Sequence, residues 1–173
     1  MLRLVLLSAL LVCARAQSTA VSRCVNNAGD LPINTHVSGC VTPPCQLPQL
    51  TMAEIDIIFR APRTIRSMGT FARASLLLGS FEAPAISYPL GEAEIACNYI
   101  TNTYCPLMEG EVVQYRLNMF IEPFFPIGTN ANVEFFATDE NSQPVFCLRM
   151  AIAIIRGVNA LAGGAVNGTS DRM

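Results

Sequence analysis

The stretch Val37 to Leu50, VSGCVTPPCQLPQL, limits the folds open to this chain more than any other. Cys40 and Cys45 stand four residues apart, and two of those four are Pro43 and Pro44, each with φ held near one value. A disulfide between them would close a small preset knuckle, because the Cα atoms of a bridged pair must lie within about 7 Å, which a turn supplies and an extended strand of this spacing does not. A bend is therefore expected here, launching the strand that follows. Thr51 to Arg60 alternates, with Ala53, Ile55, Ile57 and Phe59 on one face and Met52, Glu54, Asp56 and Ile58 on the other, the pattern of a half-buried strand.

The alternation recurs along the chain. Phe71 to Leu78 reads as a second long strand. Glu111 to Phe120 sets Val113, Tyr115, Leu117 and Met119 against Gln114, Arg116 and Asn118. Asn132 to Thr138 and Val145 to Ile155 complete the long strands. The turn-rich Asn26 to Asp30 and Asp139 to Pro144 separate such segments. Phe81 to Glu92 contains Pro84 and Pro89, so it suits an edge strand or an extended loop rather than a central strand. With no amphipathic helical repeat beside these strands, the expected fold is an all-β sandwich of two antiparallel sheets. The immunoglobulin domain proper is a poor match, since the chain contains no Trp to pack on a core disulfide.

The ends of the chain have a different character. Arg3, the apolar run Leu4 to Ala14 and the small-residue site Ala14-Arg15-Ala16 read as a secretory signal peptide over residues 1–16, too short to span a bilayer. Removing it takes Cys13 away and leaves 157 of 173 residues, with six cysteines, Cys24, Cys40, Cys45, Cys97, Cys105 and Cys147. An even number in a secreted chain points to three disulfides, and spacing alone leaves all fifteen pairings open. Residues 17–156 form the expected domain. Residues 157–173, rich in Gly and Ala, read as a flexible tail carrying the glycosylation sequon at Asn167.

Composition removes several function classes. The mature chain has nine arginines, no lysine and thirteen carboxylates, and the arginines are scattered, so nucleic acid is not an expected partner. His36 is the only histidine, which argues against a His-based metal site or a nucleophilic triad. The pairs Glu92 with Glu94 and Glu109 with Glu111 sit in loops or at strand starts, where solvated carboxylates are ordinary. No enzyme activity, metal or cofactor is expected. What stands out is apolar content: 51% of residues are hydrophobic and 14% charged, and the loop Ile121 to Ile127, punctuated by two prolines, carries Ile121, Phe124, Phe125 and Ile127. Loops are usually polar. Either that loop caps the core or it lines a pocket.

Four segments carry a family resemblance: SGCVTPPCQL at Ser38 to Leu47, CNYITNTYCP at Cys97 to Pro106, the spacing from Cys105 to Pro126, and PVFCLRM at Pro144 to Met150. From Cys24 to about Ile155 the chain resembles the ML domain, the lipid-recognition family, and within it the branch of the Niemann-Pick type C-two sterol-transfer proteins, with the mite group-two allergens beside it. The resemblance implies an immunoglobulin-like sandwich with an apolar ligand cavity between its sheets. It also implies the pairings Cys24 with Cys147, Cys40 with Cys45 and Cys97 with Cys105, of which the first closes a loop large enough to contribute up to roughly 5 kcal/mol in the chain-entropy model. By similarity the tunnel mouth falls on Tyr88, Ile121 and Phe125, where Tyr88 replaces the Phe frequent in the family and brings a hydroxyl to the opening. Phe124, Phe59, Leu117, Met119 and Phe135 are the further ligand-lining candidates.

The implied function is a secreted, monomeric carrier that holds a sterol, fatty acid or similar apolar lipid and exchanges it without covalent chemistry, meeting membranes or a lipid-accepting receptor transiently. A lipid-presenting recognition module in innate immunity or chemical signalling is the alternative. A secreted adhesion domain with a filled core is a third class. Extracellular fluid is the expected location, and the lysosomal lumen suits the same features.

Overall fold

The computed structural model describes residues 18–157; the signal segment 1–16 with Cys13, the tail beyond Gly157 and the sequon at Asn167 lie outside the described residues. Within them the strands are β1 (Asn34–Val37), β2 (Cys45–Pro48), β3 (Met52–Arg60), β4 (Met68–Leu78), β5 (Phe81–Glu82), β6 (Ile86–Tyr88), β7 (Val112–Phe120), β8 (Asn130–Asp139) and β9 (Pro144–Ile155). Two short 3-10 turns, Gly91–Glu94 and Ala96–Tyr99, lie between β6 and β7. The smaller sheet runs β1-β3-β7 and the larger β2-β9-β8-β4-β5, with β6 also on β4. The fold is the all-β sandwich expected from the alternation, immunoglobulin-like as the resemblance implies.

The smaller sheet follows the sequence pattern closely. Ala53, Ile55, Ile57 and Phe59 of β3 are buried and stand opposite Met119, Leu117, Tyr115 and Val113 of β7. Their neighbours Glu54, Asp56, Gln114 and Arg116 form the outer face, where Arg116 donates two hydrogen bonds to Asp56 at 2.7 and 3.2 Å. Period two places every second side chain inward, and only the inward set is apolar enough to stay there.

The larger sheet departs from simple alternation for a structural reason. Glu134 and Phe136 of β8 point away from the sandwich, yet both are buried. The N-terminal segment crosses that outer face: Ser22 and Arg149 exchange backbone hydrogen bonds, Cys147 N–H donates to Asp30 O at 2.9 Å, and Val25 N–H donates to the Glu134 carboxylate at 2.9 Å. Cys24 and Cys147 are bridged there, 123 residues apart in sequence. Gly29 is required at this crossing, since a Cβ on it would stand 2.5 Å from the Phe146 carbonyl carbon. The bridges Cys40–Cys45 and Cys97–Cys105 close the two short loops, so all three pairings implied by the resemblance are present.

One expected feature takes another form. The Cys40–Cys45 knuckle does not launch β3. It launches β2, which joins the far edge of the larger sheet by pairing with the end of β9, Cys45 opposite Ile152 and Leu47 opposite Ile154. That pair is parallel, whereas every other strand ladder is antiparallel. Pro48 ends the short strand, and Leu50, at φ +61°, turns the chain across to β3 in the opposite sheet. A four-residue edge strand ending in proline has too few residues to show a period in sequence.

Candidate functional site

The two ends of the sandwich are filled differently. At the end formed by the starts of β4 and β9, large rings meet between the sheets. The ring centroids of Phe59 and Phe146 lie 5.0 Å apart, and those of Tyr115 and Phe146 6.3 Å apart. The burial of Tyr115 pushes its phenol pKa up to about 12, and its hydroxyl faces the Ala93 carbonyl at 3.5 Å. Arg63 closes this end by donating from Nε to the buried Asp139 carboxylate at 2.5 Å.

At the other end the inward positions change to short side chains. Ladder pairing places Ala74 opposite Val133 and Leu76 opposite Ala131, and Ala131 faces Ile152 across the next ladder. On the smaller sheet the matching row is Ala53 opposite Met119. Sheets packed about 10 Å apart need bulky residues to meet across the gap, and alanines on the floor cannot reach. A cavity of about 570 Å³ results, walled by Ala74, Leu76, Met119, Ala131, Val133 and Ile152 together with Leu47, Ile121 and Ile154. This volume falls in the range of small-molecule sites. Leu78 and Ile86, which also line it, are 62% and 63% exposed, so the cavity opens to the outside.

The loop after β7 forms the roof. It is tied down at its base, where Leu50 N–H donates to Ile121 O, Ile121 N–H to Thr51 O and Gly128 N–H to Ile154 O. The Gln49 side-chain amide donates to the carbonyls of Pro123 and Phe125 at 3.1 and 2.5 Å. These bonds hold the backbone while the aromatic side chains remain at the rim. Phe125 packs on Phe124 at 4.6 Å and on Tyr88 at 5.6 Å, and Phe124 is 69% exposed. Burial raises the Tyr88 hydroxyl pKa, and the Glu122 carboxylate raises it further.

Of the residues singled out in sequence, Tyr88, Met119, Ile121, Phe124 and Phe125 come together around this cavity. Phe59, Leu117 and Phe135 do not. They lie fully buried in the packed core and form no part of the cavity wall, and Phe59 packs there on Phe146 of the opposite sheet. The candidates chosen from sequence leave out Leu76 and Leu78, which read as core there, and miss Ala74, Ile86, Ile152 and Ile154, which make the other wall with them. The available signal was the small-residue alternation of Ala72 and Ala74 running into the leucines that end β4. The carboxylate pairs face no common reacting position: Glu94 accepts the Leu90 N–H at 3.2 Å and Glu111 the Met108 N–H at 2.9 Å. That backbone bond, with the Thr103 hydroxyl, holds the Glu111 carboxyl below the usual glutamate range.

These features define a class: small disulfide-bonded sandwiches that hold an apolar space between their sheets. The sequence matches the ML domain family over residues 18–154, and the chain belongs to that family, whose members bind lipids and are not enzymes. No curated protein matches the sequence significantly. Among solved structures, the crystal structure of a Niemann-Pick type C2 protein from the Japanese carpenter ant superposes with a TM-score of 0.61 at 16% identity, covering 78% of this chain and 98% of that one. The crystal structure of chicken MD-1 complexed with lipid IVa gives a TM-score of 0.38 at 15% identity, covering 60% of this chain and 70% of that one. The first likeness concerns the fold.

Proposed function

We propose that this chain is a secreted lipid carrier that takes one sterol, or an apolar lipid of similar size, into the cavity between the ends of β4, β8, β9 and β7 and releases it unchanged. The observation that carries this reading is an open cavity of about 570 Å³ whose inward-facing strand positions are almost all aliphatic. Aliphatic positions of this kind gain by excluding water. Burying roughly 500 Å² of apolar ligand at about 25 cal/mol per Å² gives on the order of 12 kcal/mol gross. Association costs of roughly 4 to 15 kcal/mol oppose it. At the lower end of those costs the net is about 8 kcal/mol, on the order of micromolar, tight enough to hold a lipid in water and weak enough to give it up.

The domain spans residues 17–156 in this reading, and it acts as a monomer. Three disulfides suit an oxidising compartment, extracellular or lysosomal. The exposed Phe124 and Ile127 beside the opening would meet a bilayer or a receptor during transfer. Native mass spectrometry of the protein purified from a eukaryotic secretion host, followed by extraction, tests the reading: one lipid per chain is expected, and the protein should then move a fluorescent sterol between vesicles. A protein that carries no lipid and accepts none from vesicles of sterol, phospholipid or free fatty acid would overturn it.

A further inference from the structure

The two sides of the cavity mouth are held with very different strength. The roof loop is fixed at both ends by backbone hydrogen bonds involving Leu50, Ile121 and Gly128, and the Gln49 amide ties its middle. The opposite side is the segment from Gly79 to Gly91, which contains β5 and β6 and brings Ile86 and Tyr88 to the cavity wall. Its backbone ties are short: two ladder pairs from β5 and three from β6, all on β4, with the Ala83 N–H donating to Leu76 O at 2.9 Å. Pro84 and Pro89 lack the N–H groups that would lengthen these ladders. Among the described residues no strand pairs with the outer edge of β5 or β6.

Gly79 and Gly91 bound the segment at φ +65° and +61°, and nothing lies within 4 Å of where a Cβ would stand on either. Glycine therefore supplies conformation rather than room at both ends, and no side chain there locks the turn. One side chain inside the segment holds it. Glu82 lies on the outer face, where its carboxylate accepts from Arg149 Nη2 of β9 at 2.5 and 2.7 Å and from Asn132 Nδ2 of β8 at 3.2 Å. It thus anchors β5 to the two strands beyond β4. Neither Glu82 nor Arg149 lines the cavity. Toward the roof the segment is joined by the rings of Tyr88 and Phe125, 5.6 Å apart. Cargo passing between the two sides must part that contact, and the roof is the side that is tied down.

We propose that Gly79 to Gly91 is a flap that swings off β4 to pass the cargo, and that the Glu82–Arg149 ion pair is the latch that sets how fast it opens. The proposal rests on the carrier reading. Opening carries Ile86 and Tyr88 away from the roof and widens the mouth where Leu78 and Ile86 are already exposed. Entry and exit use the same opening, so weakening the latch speeds both, and their ratio, the equilibrium affinity, stays nearly constant while the closed form predominates. That pattern separates a latch from a contact with the cargo, whose loss raises the release rate and weakens affinity together.

Stopped-flow transfer of dehydroergosterol from loaded protein to excess methyl-β-cyclodextrin gives the release rate, and titration of the same sterol gives the affinity. Glu82→Gln should speed release at least threefold and Glu82→Arg, which sets two cations together, at least tenfold, each with Kd within threefold of native. A lock should act in the opposite direction. Arg73 and Ser87 are ladder partners, and Arg73 turns to the outer face with its guanidinium over the Phe136 ring. Antiparallel partners stand about 4.5 to 5.5 Å apart, within disulfide reach. Arg73→Cys combined with Ser87→Cys, its bridge verified by peptide mapping, should slow release at least tenfold relative to Arg73→Ser, a change that partial unfolding cannot produce. A locked protein that releases sterol within twofold of that control overturns the flap. Glu82 variants that release within twofold of native, or that lose affinity in step with faster release, overturn the latch. Either result leaves the carrier reading standing when the native protein binds the sterol, and a native protein that binds none overturns both.

Discussion

The packed end and the hollow end of the sandwich are built from the same strands. Phe59 and Ala53 share the inner face of β3, Tyr115 and Met119 that of β7, and Phe146 and Ile152 that of β9. What differs is the size of the side chains that meet across the gap. Where rings from both sheets interlock, the interior is solid and the hydroxyl of Tyr115 is sealed in. Four to six residues away on the same strands no rings stand, and a space opens beside Met119 and Ile152. One sheet pair thus supplies a stabilising half and a binding half, and the disulfide Cys24–Cys147 with the Arg63–Asp139 ion pair reinforces the first. The second half need not be filled for the fold to hold.

That division can be broken by substitution, and the effects on unfolding free energy should fall in a definite order. The largest belongs to Phe59→Ala, which removes a fully buried ring from the packed end. A loss of about 3 to 5 kcal/mol in urea unfolding is expected. Sterol affinity of the folded protein should remain within threefold, since Phe59 does not line the cavity.

Next comes the ion pair that closes the packed end. Burial alone would raise the Asp139 carboxyl pKa, but the Arg63 hydrogen bond, the Gln143 and Asn141 N–H groups and the Arg63 charge together lower it below the ordinary aspartate value. A folded-state pKa below the unfolded one contributes stability that is fully present above about pH 4 and is lost as the pH falls through the folded value. Asp139→Asn should therefore destabilise the protein at neutral pH by about 1.5 to 3 kcal/mol. The gap between native and variant unfolding midpoints should close on acidification below the ordinary aspartate range, and a gap independent of pH would show that the charge is not what matters.

At the hollow end the balance reverses. Phe125→Ala should lower stability by less than about 1.5 kcal/mol, well short of the cost for a buried ring. Sterol binding should weaken tenfold or more, which is only about 1.4 kcal/mol of lost contact. Unfolding as severe as in Phe59→Ala, with affinity unchanged, would return this loop to ordinary core.

The smallest stability effect is expected from Ala74→Leu, which adds a branched side chain to the cavity floor. Because the new atoms enter empty space, unfolding should shift by about 1 kcal/mol or less, under the range seen when a filled core is overpacked. Binding of a sterol should nevertheless be abolished. A variant that still binds would mean the ligand does not reach the floor.

Much of the scaffold was legible before any coordinate. The long strands stand within a few residues of where alternation placed them, and the apolar loop after β7 drew notice because its composition is wrong for a solvated loop. β2 was hidden, since four residues ending in Pro48 carry no period and their partner lies in parallel more than a hundred residues away. The outward burial of Glu134 and Phe136 was hidden too, because it depends on a segment from the other end of the chain crossing β8 and β9. For the site, Tyr88, Ile121 and Phe125 came from family likeness and lie at the cavity. Phe59, Leu117 and Phe135 were chosen as large inward residues, and they are indeed inward, but at the solid end.

By itself, the sequence determined which residues alternate, hence which face of each strand is apolar, and it holds the six cysteines that form the three disulfides. Period two is a local property of a strand and can be read from one segment alone. Only the tertiary structure decided which end of the sandwich is hollow. A cavity is set by pairs of residues on different sheets, with register, twist and the crossing of β2 choosing who faces whom. Ala72 and Phe59 look alike to a pattern of buried positions, and they differ in function because one lines the cavity and the other meets the ring of Phe146.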